Sequence, residues 1–378
     1  MKINRSMALS KIIIFGLLVG ILSACSSGPE KLKPAEPGPV PALLNARVVW
    51  SGNVGALDLP LALQVQGNTL LAANAAGTLM SVDVLSGVQT LLVNTGEKLA
   101  AGLGHQGDTT ALVTRNNELI IFSGKRELWR QKLVAQVFTA PLVAGGRVFV
   151  LAADRSVAAF DEQSGRRIWL LQRPGESLVL RQPGVLLAVG DTLVAGLAGQ
   201  LVSINPNNGS VRSESPVALS RGTNEIERLV DLVGPASREL NVVCARAFQS
   251  AVGCVDTSSG RLVWSKPASG SVGLTGDSRF VYGAETDGKL LAWRRSNGEP
   301  FWNSERLKLR RLTAPLLVGR SIVVGDDEGL VHFVSAEDGS PQAYLKTDGS
   351  AVVAGPILAG GMLVVVTRNG GVFGIKPE

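Results

Sequence analysis

With 378 residues and 45% hydrophobic side chains, the chain is long enough to bury a large core. Its formal net charge of +6 owes three positive charges to Lys2, Arg5 and Lys11, in an N-terminal segment with no acidic residue, leaving 34 Lys and Arg against 31 Asp and Glu. So small an excess, with no Lys/Arg run longer than two residues, excludes the electrostatic footprint of a nucleic-acid-binding protein.

The opening "MKINRSMALSKIIIFGLLVGILSAC" reads as an export signal: a basic front, an apolar run from Ile12 to Leu22 too short to span a bilayer, and small residues leading to Cys25. Leu22, Ser23, Ala24 and Cys25 resemble a bacterial lipobox, in which the cysteine becomes the lipidated first residue of the mature protein. Ser26, rather than an Asp, follows it, which by the rules of that motif implies sorting to the outer membrane. The next stretch, "SSGPEKLKPAEPGPVP", reads as an extended tether because repeated prolines remove donors and fix φ. The expected organisation is a signal peptide over 1–24, a lipidated Pro-rich tether over 25–45 and one domain over 46–378.

That domain is repetitive. "VDVLSGVQTL", "FDEQSGRRIW", "INPNNGSVRS", "VDTSSGRLVW", "WRRSNGEPFW" and "VSAEDGSPQA" each place a Gly five residues after an apolar position, at Gly87, Gly165, Gly209, Gly260, Gly298 and Gly339, with a weaker instance at Gly124. From Gly87 to Gly339 six intervals cover 252 residues, a mean of 42. The chemistry of the unit is that of a β-hairpin. A strand ends at an Asp or Asn able to cap the turn (Asp83, Asp161, Asn205, Asp256), and the Gly four residues on takes the left-handed conformation. A new strand then carries Trp four or five residues beyond the Gly, at Trp129, Trp169, Trp264 and Trp302. A second hairpin lies upstream, as in "PLVAGGRVFVLAADRSVAAFD", giving four strands per repeat and no amphipathic helix.

Four short antiparallel strands repeated at this spacing predict an all-β fold, an eight-bladed β-propeller. Blades are legible at 59–95, 105–133, 138–172, 182–215, 230–267, 271–304, 312–346 and 353–378. The last supplies only three strands and lacks its Gly-x-x-x-Trp outer strand. "ARVVWSG" near the other end is the natural donor, which makes Trp50 a structural, ring-closing residue.

Catalytic chemistry is hard to find in this pattern. None of the glycines opens a helix after a strand, as a phosphate loop requires. His105 and His332, the only histidines, have no second ligand or nucleophile at motif spacing, and Asp326 and Asp327 stand in a turn where polar residues are expected anyway. Cys244 and Cys254 lie symmetrically about Gln249, so a hairpin turning there sets them opposite each other, either as a disulfide in an oxidising compartment or as two small core residues. No metal spacing of the CxxC kind exists. The Gly-x-x-x-Trp repeat also resembles that of quinoprotein dehydrogenases, which bind pyrroloquinoline quinone and typically add a calcium site and often a vicinal disulfide. The two cysteines here are ten residues apart and no acid and amide cluster stands out, so no cofactor and no metal is expected.

The lipobox, the tether and eight blades of this repeat together resemble the BamB family, outer-membrane lipoproteins of the β-barrel assembly machinery. The resemblance covers essentially the whole chain and is most specific in "NEIERLVDLVGP" and "LRRLTAPLLVGRSIVVGDDEGLVHFVSAEDG". It implies a non-enzymatic, periplasm-facing scaffold, lipid-anchored through Cys25, that binds the POTRA domains of BamA and through it the rest of the Bam complex. Alternatives are a quinone-dependent dehydrogenase and a lipoprotein that directly holds nascent outer-membrane proteins. "ESLVLRQPG" is similar to the family's Leu-x-Leu-Arg contact loop, implying Leu178, Leu180 and Arg181 as contact residues: two apolar anchors and a forked donor. The alternative is plain strand residues joining two blades. Asp231 matches the first acid of the family's Asp-x-Asp stretch, whereas Val233 stands where the second would be. Glu227 and Arg228 flank it, either as further contacts or as plain surface charges. Sheet extension along an outer blade edge is a second route to a partner.

Overall fold

A computed structural model describes residues 33–38, 40, 44–57, 63–173, 179–219 and 229–377. The expected signal peptide with Cys25, and the candidates Leu178, Glu227 and Arg228, lie outside the described residues. The chain divides into two compact units, Met1–Pro34 and Ala35–Glu378, and the second contains the strands of the described residues.

Among the described residues, thirty-two strands form eight four-stranded antiparallel sheets. Seven are consecutive in sequence and form blades 1 to 7, at 64–94, 104–132, 142–171, 186–216, 232–267, 274–304 and 316–346. Blade 8 is composite: Ile357–Ala359, Met362–Val366 and Gly371–Pro377 are completed on the outside by Ala46–Asn53, with Ala46 opposite Pro377 and Asn53 opposite Gly371. Together they make the expected eight-bladed β-propeller.

The strands differ as their positions in a propeller require. Second strands are covered on both faces by neighbouring blades and are largely apolar: every residue of Thr109–Val113, Phe280–Ala284 and Met362–Val366 is buried. Outer strands face water on one side, and Arg126–Lys132 accordingly intersperses charges with Leu128 and Trp129. Among the described residues the core is eight clusters, each shared by two consecutive blades. Blade 7 meets blade 8 through Val323, Val331 and Phe333 against Leu363 and Val365, and blade 8 meets blade 1 through Val364 and Val366 against Leu70 and Val82. The ring is therefore closed.

One contact recurs at the seams. The indole N–H donates to a carbonyl in the next blade: Trp50 to Val84 (2.7 Å), Trp129 to Glu162 (2.8 Å), Trp169 to Pro206 (2.9 Å), Trp264 to Arg295 (2.7 Å) and Trp302 to Ala336 (2.9 Å). Three residues beyond each acceptor stands the turn glycine, and the ring lies on it. At Gly87, with φ of 74°, a Cβ would be 2.7 Å from the Trp50 ring, and Gly165, Gly209, Gly298 and Gly339 repeat the arrangement. The glycine is thus needed twice over, for its left-handed backbone and for the ring above it. The sequence spacing ties each Trp to the glycine of its own blade, but its physical partner is the glycine of the following one. Trp50 fills the same slot as the others, opposite Gly374 of its adopted blade.

The turns are capped as read. Asp83, Asp161 and Asp256 each accept from the backbone N–H and the hydroxyl of a serine two or three residues on, and Asp338 does so from Ser340. These serine hydrogen bonds hold all four carboxyls below the ordinary carboxylate range. In blade 5, Gln249 takes a left-handed φ of 46°, and Cys244 and Cys254 face each other as direct cross-strand partners joined by a disulfide, both fully buried.

Trp50→Ala removes a seam contact and leaves the Val84 carbonyl without its donor. The expected loss is about 3 kcal/mol in chemical denaturation, with Trp169→Ala costing about as much; an unchanged midpoint for Trp50→Ala would show that the ring does not depend on its N-terminal strand. Because the turn carboxyls release their protons more readily folded than unfolded, their stabilisation is complete above the unfolded value near 3.8 and is lost as pH falls through the lower folded values. The urea midpoint should therefore hold from pH 7 to 5 and drop steeply below about 4.

Candidate functional site

In an antiparallel four-stranded blade, the connector entering the first strand and the turn between the second and third strands lie at the same end. All connectors and all second turns therefore share one end of the ring, and short bridges join them: Leu99 to Thr114, Leu312 to Asp326 and Val352 to Thr367. The candidate site lies at this end, where the connector from blade 3 to blade 4 meets the connector from blade 4 to blade 5. Gly184 bridges Val233, the Gly234 N–H donates to the Pro183 carbonyl (3.0 Å), and the Gly184 N–H donates to the Thr139 hydroxyl (2.9 Å).

Asp231 ties these pieces together. One carboxylate oxygen accepts the backbone N–H of Leu180 at 2.8 Å, the other lies 3.7 Å from the Arg155 guanidinium, and the Asp231 carbonyl accepts from Phe248 N–H at 3.0 Å. The carboxylate is turned inward, onto the loop, rather than out to solvent. Leu180 is thereby fixed at half-burial on the rim of a cleft of about 50 Å³ whose walls include Phe138, Leu151, Arg155 and Val233. Arg181 is exposed and its guanidinium lies 5.9 Å from the centre of the Phe138 ring, a cation–π contact.

Leu180, Arg181 and Asp231, far apart in sequence, are thus brought to one place. Val233 is 2% exposed and packed inward, so no side chain at that position offers a second acid to a partner.

Arg155 was legible only as a turn residue. It occupies the left-handed position of the second turn of blade 3 at φ 62°, which blades 1, 6, 7 and 8 fill with Gly77, Gly288, Gly329 and Gly370. A long cation in a slot that favours glycine costs on the order of 1 kcal/mol and persists where its side chain is used. Alignment of the second turns supplies the signal: four have glycine at this position and blade 2 has Asn117, whereas blade 3 has a cation.

The same alignment exposes a second network. Asp326 stands at the start of the second turn of blade 7, three residues before Gly329, and is fully buried; it accepts from Arg310 (2.7 Å), from the N–H of Leu330 (2.8 Å) and meets His332 Nε2 at 2.8 Å. Burial pushes its carboxyl up, but the hydrogen bonds from His332, Leu330 and Arg310 outweigh that and hold it below the usual range. His332 is a satisfied core side chain, whereas Asp326 is a buried anchor rather than a solvated turn residue.

Comparison with known proteins decides the family. A family model described as "Outer membrane protein assembly factor BamB" matches residues 47–304. The chain belongs to the BamB family. It is similar to the Outer membrane protein assembly factor BamB of Bordetella pertussis, 35% identical over 372 residues that make up 97% of this chain and 96% of that one. The crystal structure of BamB from Moraxella catarrhalis superposes with a TM-score of 0.78 at 24% identity, over 88% of this chain and 99% of that one. The propeller is also similar to that of quinohemoprotein alcohol dehydrogenase from Comamonas testosteroni, with a TM-score of 0.66 at 12% identity over 87% of this chain and 76% of that one, a likeness of fold alone.

The residues of this BamB-family ring do not fit a quinone site of that kind. Among the described residues no group of three or more His, Cys, Asp and Glu side chains could hold a metal ion, and the two cysteines are cross-strand partners rather than neighbours in sequence. The central channel, about 950 Å³, is lined largely by the starts of the inner strands, with Pro141, Pro183, Pro235, Pro315 and Pro356 recurring around it.

Asp231→Ala deletes the acceptor that fixes the loop at Leu180. A hydrogen bond to a charged group contributes about 1.5–3 kcal/mol, so hydrogen exchange at the Leu180 amide should accelerate by about 10- to 100-fold. The thermal transition of the ring should stay within a few degrees of the parent.

Proposed function

We propose that this chain is a non-enzymatic scaffold subunit of the outer-membrane β-barrel assembly machinery, lipid-anchored through Cys25 and facing the periplasm. It binds the POTRA domains of BamA through the connector loops around Leu178, Leu180 and Arg181. The observation that carries this reading is the pinned loop of a BamB-family chain: Asp231 holds the backbone at Leu180, leaving that leucine and the Arg181 guanidinium at the rim.

The chemistry suits a protein partner. A half-buried leucine offers an apolar anchor beside a small cleft, and a guanidinium stacked on Phe138 loses little freedom when it meets a carboxylate or a row of carbonyls. Asp231 acts in this scheme as a positioning residue, because its oxygens already serve Leu180 and Arg155. Glu227 and Arg228 belong to the connector that leads into Asp231, and they extend the same contact.

The test is recovery of BamA with the native lipoprotein from detergent-solubilised outer membranes. Leu178, Leu180 and Arg181 changed together to Ala should lower that recovery at least tenfold, about 1.4 kcal/mol or more of lost binding, while the ring melts as before. Undiminished recovery from a folded triple variant would overturn the site.

A further inference from the structure

The seams are not all built alike. The outer strand of blade 1 carries no Trp, and the position taken by Trp in five blades holds Ser213 in blade 4 and Ala343 in blade 7. At the seam between blades 4 and 5 the substitute is local: Ser213 lies under Gly260, and the Ser215 hydroxyl donates to the Gly260 carbonyl at 2.7 Å. At the seam between blades 7 and 8 no such turn exists, because blade 8 is where the two ends of the ring meet, Pro377 opposite Ala46. Leu44 and Ala46 pack there instead, against the cluster that also takes in Ala343 and Leu345.

A second point upstream is also held. The Ala35 N–H donates to the Lys308 carbonyl at 2.9 Å, and the Ala35 carbonyl accepts from Arg310 Nε at 2.8 Å. Arg310 is 3% exposed, and its Nη1 is shared between Asp326 and Glu328, each at 2.7 Å. A buried guanidinium fixed by two carboxylates thus turns its remaining edge to a backbone carbonyl of the Pro-rich stretch. Lys308 and Arg310 belong to the connector from blade 6 to blade 7, at the connector end of the ring, whereas Ala46 lies at the opposite end.

We propose that the tether is docked on the propeller at Ala35, by the Lys308 carbonyl and Arg310, so that it leaves the ring at the connector end between blades 6 and 7 rather than at Ala46. The strap supplies the seam with what blade 7 lacks in a Trp and blade 8 lacks in a turn. Its consequence for reach rests on the lipidated Cys25 of the proposed function: about 10 residues, at most about 35 Å, remain between lipid and ring, against about 70 Å if the tether were free up to Ala46. The docking itself does not depend on the lipid.

The test is a single fluorophore on Glu36→Cys, an exposed position next to the docked residue, in the full-length lipoprotein. Docking predicts anisotropy close to that of the tumbling ring. Ala35→Pro, which deletes the N–H donor outside every blade, should lower it at least twofold while the ring melts unchanged. Arg310→Lys keeps a cation beside Asp326 and Glu328 but lacks the Nε donor, and should have the same effect. Coil-like anisotropy in the parent, or no fall with Ala35→Pro, overturns the proposal. Cys25→Ser tests the anchor separately: with the label still immobile, protein released from membranes supports both readings, and protein that stays membrane-bound overturns the lipid anchor while the docking stands.

Discussion

The fold depends on an indole ring lying on a glycine of the next blade. A blade has two apolar faces, and any open stack of blades leaves one face bare at each end, which only closure removes. The Trp and Gly contact does this with two kinds of interaction at once. The ring covers apolar surface, and its N–H satisfies a turn carbonyl that would otherwise be left at the edge of a dry seam. Trp50 extends this device across the break in the chain, so the N-terminal strand is held both by its ladder to Gly371–Pro377 and by the turn of blade 1.

Seams of this strength free the connector end of the ring from structural duty. The connectors from blade 3 to 4 and from blade 4 to 5 have bridged each other, and Asp231 spends both oxygens on holding the loop rather than the barrel of strands. Arg155 shows the same release. Glycine fills the same position in blades 1, 6, 7 and 8 and Asn117 in blade 2, whereas here a strained arginine is kept and its guanidinium is turned to Asp231. Two departures from the repeat, Arg155 and Asp231, thus meet where three blades come together, and neither takes part in a seam.

Much of this was legible in the sequence, for identifiable reasons. The glycines, the capping Asp and Asn residues and the Trp positions follow from short-range turn chemistry, which depends on residues four or five apart, so blade number and ring closure could be read directly. What escaped were properties set by neighbours distant in sequence. That Trp129 pairs with Gly165 rather than Gly124, that Asp326 is buried under Arg310 and His332 rather than solvated, and that Arg155 reaches Asp231 all depend on blade-to-blade register. Val233 is intermediate: its apolar character was visible, but only the bridge to Gly184 explains why an acid there would be buried.

The two unusual features of the connector end bear on each other. Leu180 and Arg181 lie on the connector between blades 3 and 4, and Ala35 meets the connector between blades 6 and 7, so the candidate contact surface and the docked tether occupy the same end of the ring. A tether leaving from the far end would let the ring present either end to the membrane at little cost, since a flexible chain constrains distance more than direction. A dock at the connector end shortens the free chain, and on the proposed reading it puts the point where the tether leaves the ring at the same end as the contact loops, so that both compete for space with whatever partner covers that end.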